Sequence, residues 1–284
     1  MNIHTTTQPH LDRLSALLRR FEIRAGVFRT GPMCGTADFT ATGTGGHIHI
    51  LRAGTLSVTN GAGAPVEVNE PTVLFYPRNL PHRLDTGGAD REVELLCASI
   101  DLGGAANPLV AALPGVVAVP FAESSGLRAV LELLAEEAFS VNCGQQAVLD
   151  RLCEVVVVKL LRHVISSGHA EIGMLAGLSH PALQRALTAM HDAPEKGWNL
   201  ELLAEEAGMS RTSFANIFRD IVGQTPGSYL SHWRLTLANE QLAKGTSLKA
   251  VARAVGYASP AALSRAYTRQ YGRSPRGLKN SASR

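Results

Sequence analysis

Residues 203–210 read Leu-Ala-Glu-Glu-Ala-Gly-Met-Ser, and residues 251–259 read Val-Ala-Arg-Ala-Val-Gly-Tyr-Ala-Ser. The second stretch repeats the first with one inserted residue. Each copy predicts a helix, a turn and a second helix, because Gly208 and Gly256 can adopt positive φ and end the first helix. Ser210 and Ser259 can then cap the second helix by accepting from its free amide groups. We therefore predict two helix-turn-helix motifs, about 49 residues apart.

The second helix of each copy combines an apolar face with an opposite face of short and polar residues. These opposite faces hold Thr212, Ala215, Asn216 and Arg219 in the first copy, and Ala261, Ser264, Arg265 and Thr268 in the second. Such a face suits the major groove, where Arg recognises guanine and Asn recognises adenine. The predicted DNA-binding residues are Arg211, Thr212, Ala215, Asn216, Arg219, Ser264, Arg265, Thr268, Arg269, Arg273 and Arg276, the last three as phosphate contacts.

The segment between the motifs and the charge of the C-terminal half also indicate DNA binding. Residues 226–244 predict one helix of about 28 Å, long enough to hold two recognition helices about one DNA turn apart. Residues 178–284 carry 14 basic and 7 acidic residues, whereas residues 1–177 carry 13 and 17. We expect the basic half to bind a polyanion, with a solvated basic tail as the alternative.

Residues 181–279 resemble the AraC/XylS class of bacterial transcription regulators. The matching residues are Leu202, Gly208, Met209, Ser210, Phe214, Phe218, Arg219, Gly223, Thr225, Pro226, Tyr229, Leu230, Arg234, Leu235, Ala238, Leu242, Val251, Ala252, Gly256, Tyr257, Ser259, Gly272, Ser274 and Pro275. The resemblance implies a sequence-specific DNA-binding regulator, an activator that works with RNA polymerase on double-stranded promoter DNA. Leu278 departs from the usual aromatic residue. Residues 260–262 are poor in polar groups, so phosphate anchoring is an alternative role for the second recognition helix.

The N-terminal part has a different pattern. Between residues 21 and 102, Gly and Pro separate short β-like runs such as residues 47–51, 55–59 and 72–76, which predicts a small sandwich or barrel. Residues 103–122 look like a connector rich in Gly, Ala and Pro. The run Gly45-Gly46-His47-Ile48-His49, with the later His82, resembles the cupin family of β-barrels.

The cupin resemblance implies that His47, His49 and His82 are candidate ligands of a divalent metal, because alternate residues of a strand point the same way. Ala53 and Gly54 stand where the family usually has an acidic ligand. Histidines that line the barrel without metal are the alternative. We expect a regulator, not an enzyme, since no general base is evident. A cupin metalloenzyme with a DNA-binding appendage is the alternative function.

A helical hairpin follows the β-rich part. Apolar residues at helical spacing predict helices from residue 125 and over residues 145–166, with a break at 142–144. The hairpin is either a lid on the β core or the interface of a homodimer. In the second case, Leu134→Glu or Val156→Glu should give monomers that still fold.

The whole chain is similar to the AraC-type activators that respond to reactive chlorine, which carry cysteines at comparable places. This resemblance makes Cys34 and Cys97 candidate redox-sensing residues, with purely structural thiols as the alternative. A disulfide between them would require Cα atoms within about 7 Å.

The predicted fold class is α+β, with an N-terminal cupin-like β-barrel, a helical hairpin and an all-α C-terminal domain. The predicted domains are a sensor at 21–122, a hairpin and linker at 123–177, and a DNA-binding domain at 178–284 with its motifs at about 200–221 and 248–271. The chain has 284 residues, 45% of them hydrophobic, and no apolar run near the roughly 20 residues of a membrane helix. Residues 1–9 show no export pattern, so we expect a cytoplasmic protein without membrane contact.

Overall fold

The computed structural model describes residues 12–40, 45–88, 91–103, 107–168 and 172–275. The chain forms two compact units. The β unit is Phe21–Ser167, and the helical unit combines Gly168–Arg284 with the segment that precedes Phe21. The β unit is therefore inserted in the sequence of the helical unit. The predicted boundaries at 122/123 and 177/178 divide the chain differently, because they separate the hairpin from the β strands.

Nine strands form two antiparallel sheets in the described part of the β unit. The strands are β1 (Arg24–Met33), β2 (Thr36–Phe39), β3 (Gly46–Ala53), β4 (Leu56–Asn60), β5 (Val66–Val68), β6 (Thr72–Tyr76), β7 (His82–Asp85), β8 (Val93–Asp101) and β9 (Val117–Pro120). One sheet has the order β1-β8-β3-β6-β9 and the other β2-β7-β4-β5. Alternate residues of each strand point inward, so Leu51, Leu74 and Tyr76 of the first sheet meet Leu56 and Leu84 of the second in one core. The predicted α+β architecture with an N-terminal β domain is confirmed.

The connector predicted at 103–122 contains regular structure. Helix α2 (Pro108–Ala112) begins after Asn107, whose side chain accepts from the amide of Leu109. Strand β9 pairs with β6 and places Val119 opposite Val73, which adds a fifth strand to the large sheet. The sequence pattern does not indicate these two elements of the connector, because a four-residue edge strand leaves little periodicity to recognise.

The predicted hairpin is present as α3 (Ser125–Ala138) and α4 (Gln145–Ser167). Helix α4 packs against β1, where the side chain of Asp150 accepts from the amide of Val27 at 2.9 Å. Leu134 and Val156 are fully buried, so neither is available for a dimer interface. The expectation that glutamate at these two positions leaves the fold intact is wrong, since the hairpin covers the large sheet.

The described part of the helical unit has eight helices, and the second and third of them precede the first motif. The helices are α1 (Ser15–Arg20), α5 (Met174–Ser179), α6 (Leu183–Asp192), α7 (Leu200–Ala207), α8 (Arg211–Val222), α9 (Pro226–Ala243), α10 (Leu248–Ala254) and α11 (Pro260–Tyr271). Helix α1 packs on α6, and Arg19 pairs with Asp192 at 2.7 Å. Helix α5 begins within the linker that the sequence predicts before residue 178. Among the described residues, no helix combines the length and apolarity needed to cross a membrane.

Candidate nucleic-acid interface and sensor site

The first helix-turn-helix consists of α7, a short turn and α8, and its caps are those the sequence predicts. The side chain of Asn199 accepts from the amide of Leu202 at the start of α7. Gly208 ends α7 with a φ of 68°, which an L side chain adopts only at a cost. The hydroxyl of Ser210 then accepts from the amide of Ser213 at 3.2 Å and starts α8.

The second helix-turn-helix repeats this construction with α10 and α11. Gly256 has a φ of 79°, and a Cβ there would lie 2.7 Å from the Cα of Glu195. Both the conformation and the space therefore require glycine. Ser259 caps α11, because its hydroxyl accepts from the amide of Ala262 at 3.1 Å. The duplicated sequence thus folds as a duplicated structure.

Each recognition helix buries one face and exposes the other. Phe214 and Phe218 of α8 and Leu263 and Tyr267 of α11 have no exposed surface. The exposed predicted DNA-binding residues are Arg211, Thr212, Asn216, Arg219, Arg265, Thr268, Arg269 and Arg273, while Ala215 and Ser264 are half-buried. Arg276 lies outside the described residues. The exposed faces of α8 and α11 are named here the recognition faces.

Charge on the recognition faces is uncompensated within the described part of the chain. Arg211, Arg219, Arg265 and Arg269 form no ion pair there, although seven ion pairs are present elsewhere among the described residues. The guanidinium of Arg219 donates to the side-chain oxygen of Asn216 at 3.3 Å, so the two side chains support each other's orientation. Free guanidinium groups on an exposed helix can bind phosphate or guanine.

Helix α9 joins the two motifs as one element of 18 residues, about 27 Å long. It packs against α8, α10 and α11. His232 on α9 places its ring nitrogens 3.0 Å from the side-chain oxygens of Gln224 and Gln270. Gln224 follows α8 and Gln270 lies on α11, so this histidine connects both motifs. The sequence gives no sign of this bridge, because an exposed histidine has no pattern of its own.

In the β unit, the structure brings the three predicted histidines together. His47 and His49 point inward from β3, and His82 points inward from β7 of the opposite sheet. The ring centroid of His47 lies 5.9 Å from that of His49 and 5.6 Å from that of His82. The Nε2 atoms of His49 and His82 are 2.8 Å apart.

The hydrogen bonds of this cluster fix the positions of its protons. The carbonyl oxygen of Leu80, 2.7 Å from Nδ1 of His82, can only accept, so that nitrogen carries the proton. Neutral His82 then accepts at Nε2 from His49. The Nδ1 of His49 in turn accepts from the Cys97 thiol, whose Sγ lies 3.1 Å away. The result is a directed chain from Cys97 through His49 to His82.

Aromatic rings and burial hold the cluster neutral. His82 lies between Phe39 and Tyr76, with centroid distances of 4.7 Å and 3.8 Å and nearly parallel rings. Burial, with a smaller contribution from the charges of His82 and His47, lowers the pKa of His49 well below its usual value. Burial also raises the pKa of Tyr76 to about 12. Neutral, hydrogen-bonded imidazoles are therefore the state at neutral pH.

The two predicted redox-sensing cysteines lie apart. Cys97 is buried, and burial raises the pKa of its thiol to about 12. Cys34 is exposed and follows the end of β1. Cys97 lies opposite Arg29 of β1, and Cys34 is five residues beyond Arg29, which corresponds to about 16 Å along the strand. A direct disulfide is excluded in this fold.

Comparisons with known proteins identify both units. Residues 12–166 match the cupin family, and residues 203–281 match a helix-turn-helix domain. The chain belongs to the AraC-type transcription regulators with a cupin domain.

Relatives of this AraC-type regulator carry names of transcription regulators. AlkR of Acinetobacter baylyi is 38% identical over 60% of the chain and 57% of its own length. The RCS-specific HTH-type transcriptional activator RclR of Escherichia coli is 29% identical over 80% of the chain and 81% of its own length. The DNA-binding domain of AdpA, solved with a target DNA, is 31% identical over 36% of the chain and 93% of that domain, with a TM-score of 0.33.

The cupin unit of this regulator does not fit the metal that the cupin resemblance implies. Both nitrogens of His49 are engaged, one by Cys97 and one by His82. Nδ1 of His47 is buried without a hydrogen-bond partner among the described residues. Across those residues, no group of three or more His, Cys, Asp or Glu side chains is arranged to hold a metal ion. His49 and His82 therefore line the barrel as a hydrogen-bonded pair, and His47 lies beside them.

Proposed function

We propose that this protein is a cytoplasmic transcription activator that binds promoter DNA through the recognition faces of α8 and α11. The observation that carries the proposal is the pair of exposed faces with uncompensated guanidinium groups, held on the single rigid helix α9. Two recognition helices on one strut of about 27 Å can enter successive major grooves on one side of a duplex. The same arrangement would serve no purpose in a metalloenzyme, and the histidine cluster offers no metal site to support that alternative.

The two motifs make different contacts with DNA in this proposal. Asn216 and Arg219 on α8 can read adenine and guanine, because their side chains are exposed and hydrogen-bonded to each other. Helix α11 begins with Pro260 and two alanines, so its early turns admit close approach of DNA without hydrogen bonds to bases. Arg265 supplies the base contact there, and Arg269, Arg273 and Arg276 supply phosphate contacts.

Activation with RNA polymerase and assembly as a homodimer are part of the proposal. RclR is named an activator, which supports the first part. Three apolar side chains on the outside of the hairpin support the second. Leu133 of α3 and Val148 and Val155 of α4 are 50%, 41% and 42% exposed. Val148 and Val155 are seven residues apart and therefore lie on the same side of α4. A second copy would cover these residues.

We propose that oxidant is the signal and that Cys34 is the thiol it reaches first. Cys34 is exposed, whereas Cys97 is buried with a raised pKa and so is the less reactive thiol. Cys97 contributes to the response through its hydrogen bond to His49. Oxidation of Cys34 at the end of β1 would disturb that hydrogen bond, because β1 pairs with the strand that carries Cys97. Promoter output is measured with and without oxidant in Cys34→Ser and Cys97→Ser strains. Loss of the response in Cys34→Ser supports the proposal, and a wild-type response in both strains overturns it.

DNA binding is tested by fluorescence anisotropy on a site selected from a random duplex library. Asn216→Ala and Arg265→Ala should each weaken binding to that site by about 1–3 kcal/mol and hardly affect random DNA. Arg269→Ala should weaken both and lower the salt slope by about one unit. Arg19→Ala, which removes a paired guanidinium from α1, is the control and should change neither. Equal losses on both DNAs for Asn216→Ala and Arg265→Ala would contradict base reading.

A further inference from the structure

An open groove of about 600 Å³ lies on the outside of the β unit, beside α3. Its wall is formed by the end of β3, the residues before β6, the turn after β9 and one side of α3. Its volume is in the range of sites for small organic ligands, about 300–1,000 Å³. The groove is separate from the histidine cluster in the interior. We infer that it binds a lipophilic organic cation.

The apolar part of the groove provides the first half of the argument. Leu131 and Ala135 of α3 are buried and form its base. The rings of Phe121 and Phe139 border it, and Phe139 is 55% exposed. Exposed aromatic surface next to a buried aliphatic base favours a flat or bulky apolar group. Aromatic faces attract a cation through their quadrupole, and the guanidinium of Arg52 already lies over the ring of Phe139, 5.5 Å from its centroid. The ring of Phe121 therefore remains for the cation of a ligand.

The charges that line the groove favour a ligand of positive charge. Both guanidinium groups are already paired: Arg52 with Glu94 at 3.2 Å and Arg128 with Glu132 at 3.0 Å. Glu70 and Glu136 also line the groove and form no ion pair within the described residues. Two carboxylates thus remain uncompensated beside the phenyl rings. An anionic amphiphile would have to break an existing ion pair to find a cationic partner.

A metal ion does not explain these carboxylates, because no metal-binding group of three or more acidic or His/Cys side chains occurs among the described residues. The inference gives the proposed regulator a second input through the same unit. It rests on the proposed function only for its biological meaning, since the binding itself is measured without DNA.

The test uses the full chain and two dyes with the same xanthene ring system and opposite charge. Rhodamine 6G is the cationic probe and fluorescein the anionic control, each followed by fluorescence anisotropy. Rhodamine 6G should bind saturably at one site per chain, and fluorescein should not. Glu70→Gln and Glu136→Gln should each weaken the affinity about two- to fivefold, and the double variant on the order of tenfold.

Two further variants make the test specific. Glu67→Gln, on β5 outside the groove, should leave the affinity unchanged. Ala122→Trp should abolish binding by filling the groove from an exposed position, where folding is not at risk. Equal binding of both dyes, an unchanged affinity in the double variant, or binding to Ala122→Trp would overturn the inference. Failure of the wild type to bind rhodamine 6G would also overturn it. If Ala122→Trp then converts a dimer to monomers in sedimentation, a second copy of the chain covers the groove instead of a ligand. Binding of selected DNA by the same samples separates these failures from failure of the proposed function.

Discussion

His191 makes the stability of the helical unit dependent on pH. This histidine is fully buried under α9, with Nε2 2.6 Å from the hydroxyl of Tyr229 and its ring 4.6 Å from that of Trp233. Burial, with a smaller contribution from the charge of Arg20, lowers the pKa of His191 from 6.5 to about 3. The unfolded chain therefore takes up this proton at a higher pH than the folded chain. The free energy of unfolding should fall as the pH drops below about 6.5.

The size of the effect follows from the shift. Each pH unit between the two pKa values corresponds to about 1.4 kcal/mol. Lowering the pH from 7.5 to 5 should therefore reduce the free energy of unfolding by about 2 kcal/mol through His191 alone. The loss continues until the pH approaches about 3, where the folded state also binds the proton.

Tryptophan fluorescence in urea measures this quantity selectively. The chain has two tryptophans, and both Trp198 and Trp233 belong to the helical unit. His191→Gln removes the titration, while the amide oxygen can still accept from the hydroxyl of Tyr229. The wild type should lose about 2 kcal/mol more than His191→Gln between pH 7.5 and 5. Parallel pH profiles for wild type and His191→Gln would refute the reasoning.

Two pairs of variants test the motif and the hairpin. Gly272→Ala should cost about 1–2 kcal/mol in urea unfolding because of its left-handed φ of 67°, and Gly256→Ala should cost more, because its Cβ would also meet backbone at 2.7 Å. Equal costs would contradict the close approach. Val155→Glu should leave circular dichroism unchanged and shift sedimentation from dimer to monomer, whereas Leu134→Glu should unfold the β unit. A folded Leu134→Glu chain, or a Val155→Glu chain that still sediments as a dimer, would count against this account of the hairpin.

The helical unit was predictable in detail because its signals are local. The positive φ of Gly208 and Gly256 and the capping roles of Ser210 and Ser259 depend on a few neighbouring residues. The repeat then doubles every signal, since each copy supports the interpretation of the other. The exposed side of α8 follows from the 3.6-residue period once Phe214 is placed in the core.

The sensor site was predictable only in part. The three histidines could be grouped from the alternation of β3 and from the family resemblance. Their engagement with Cys97 could not, because it depends on the register between β3 and β8, which pairs His49 with Cys97. The same register, with that of β1 and β8, separates Cys34 from Cys97. Long-range pairing is the property that a linear pattern does not contain.

The position of α1 restricts how this protein can be cut or recombined. Residues 15–20 precede the β unit in sequence, yet Arg19 contacts Asp192 and Arg13 donates to the carbonyl of Leu178. A fragment that starts at residue 178 would lack these contacts and would leave the outer surface of α6 uncovered. Exchange of the β unit between related proteins therefore needs two junctions, one at residues 20/21 and one at 167/168. A chimera made with a single crossover would join α1 of one parent to the rest of the helical unit of the other.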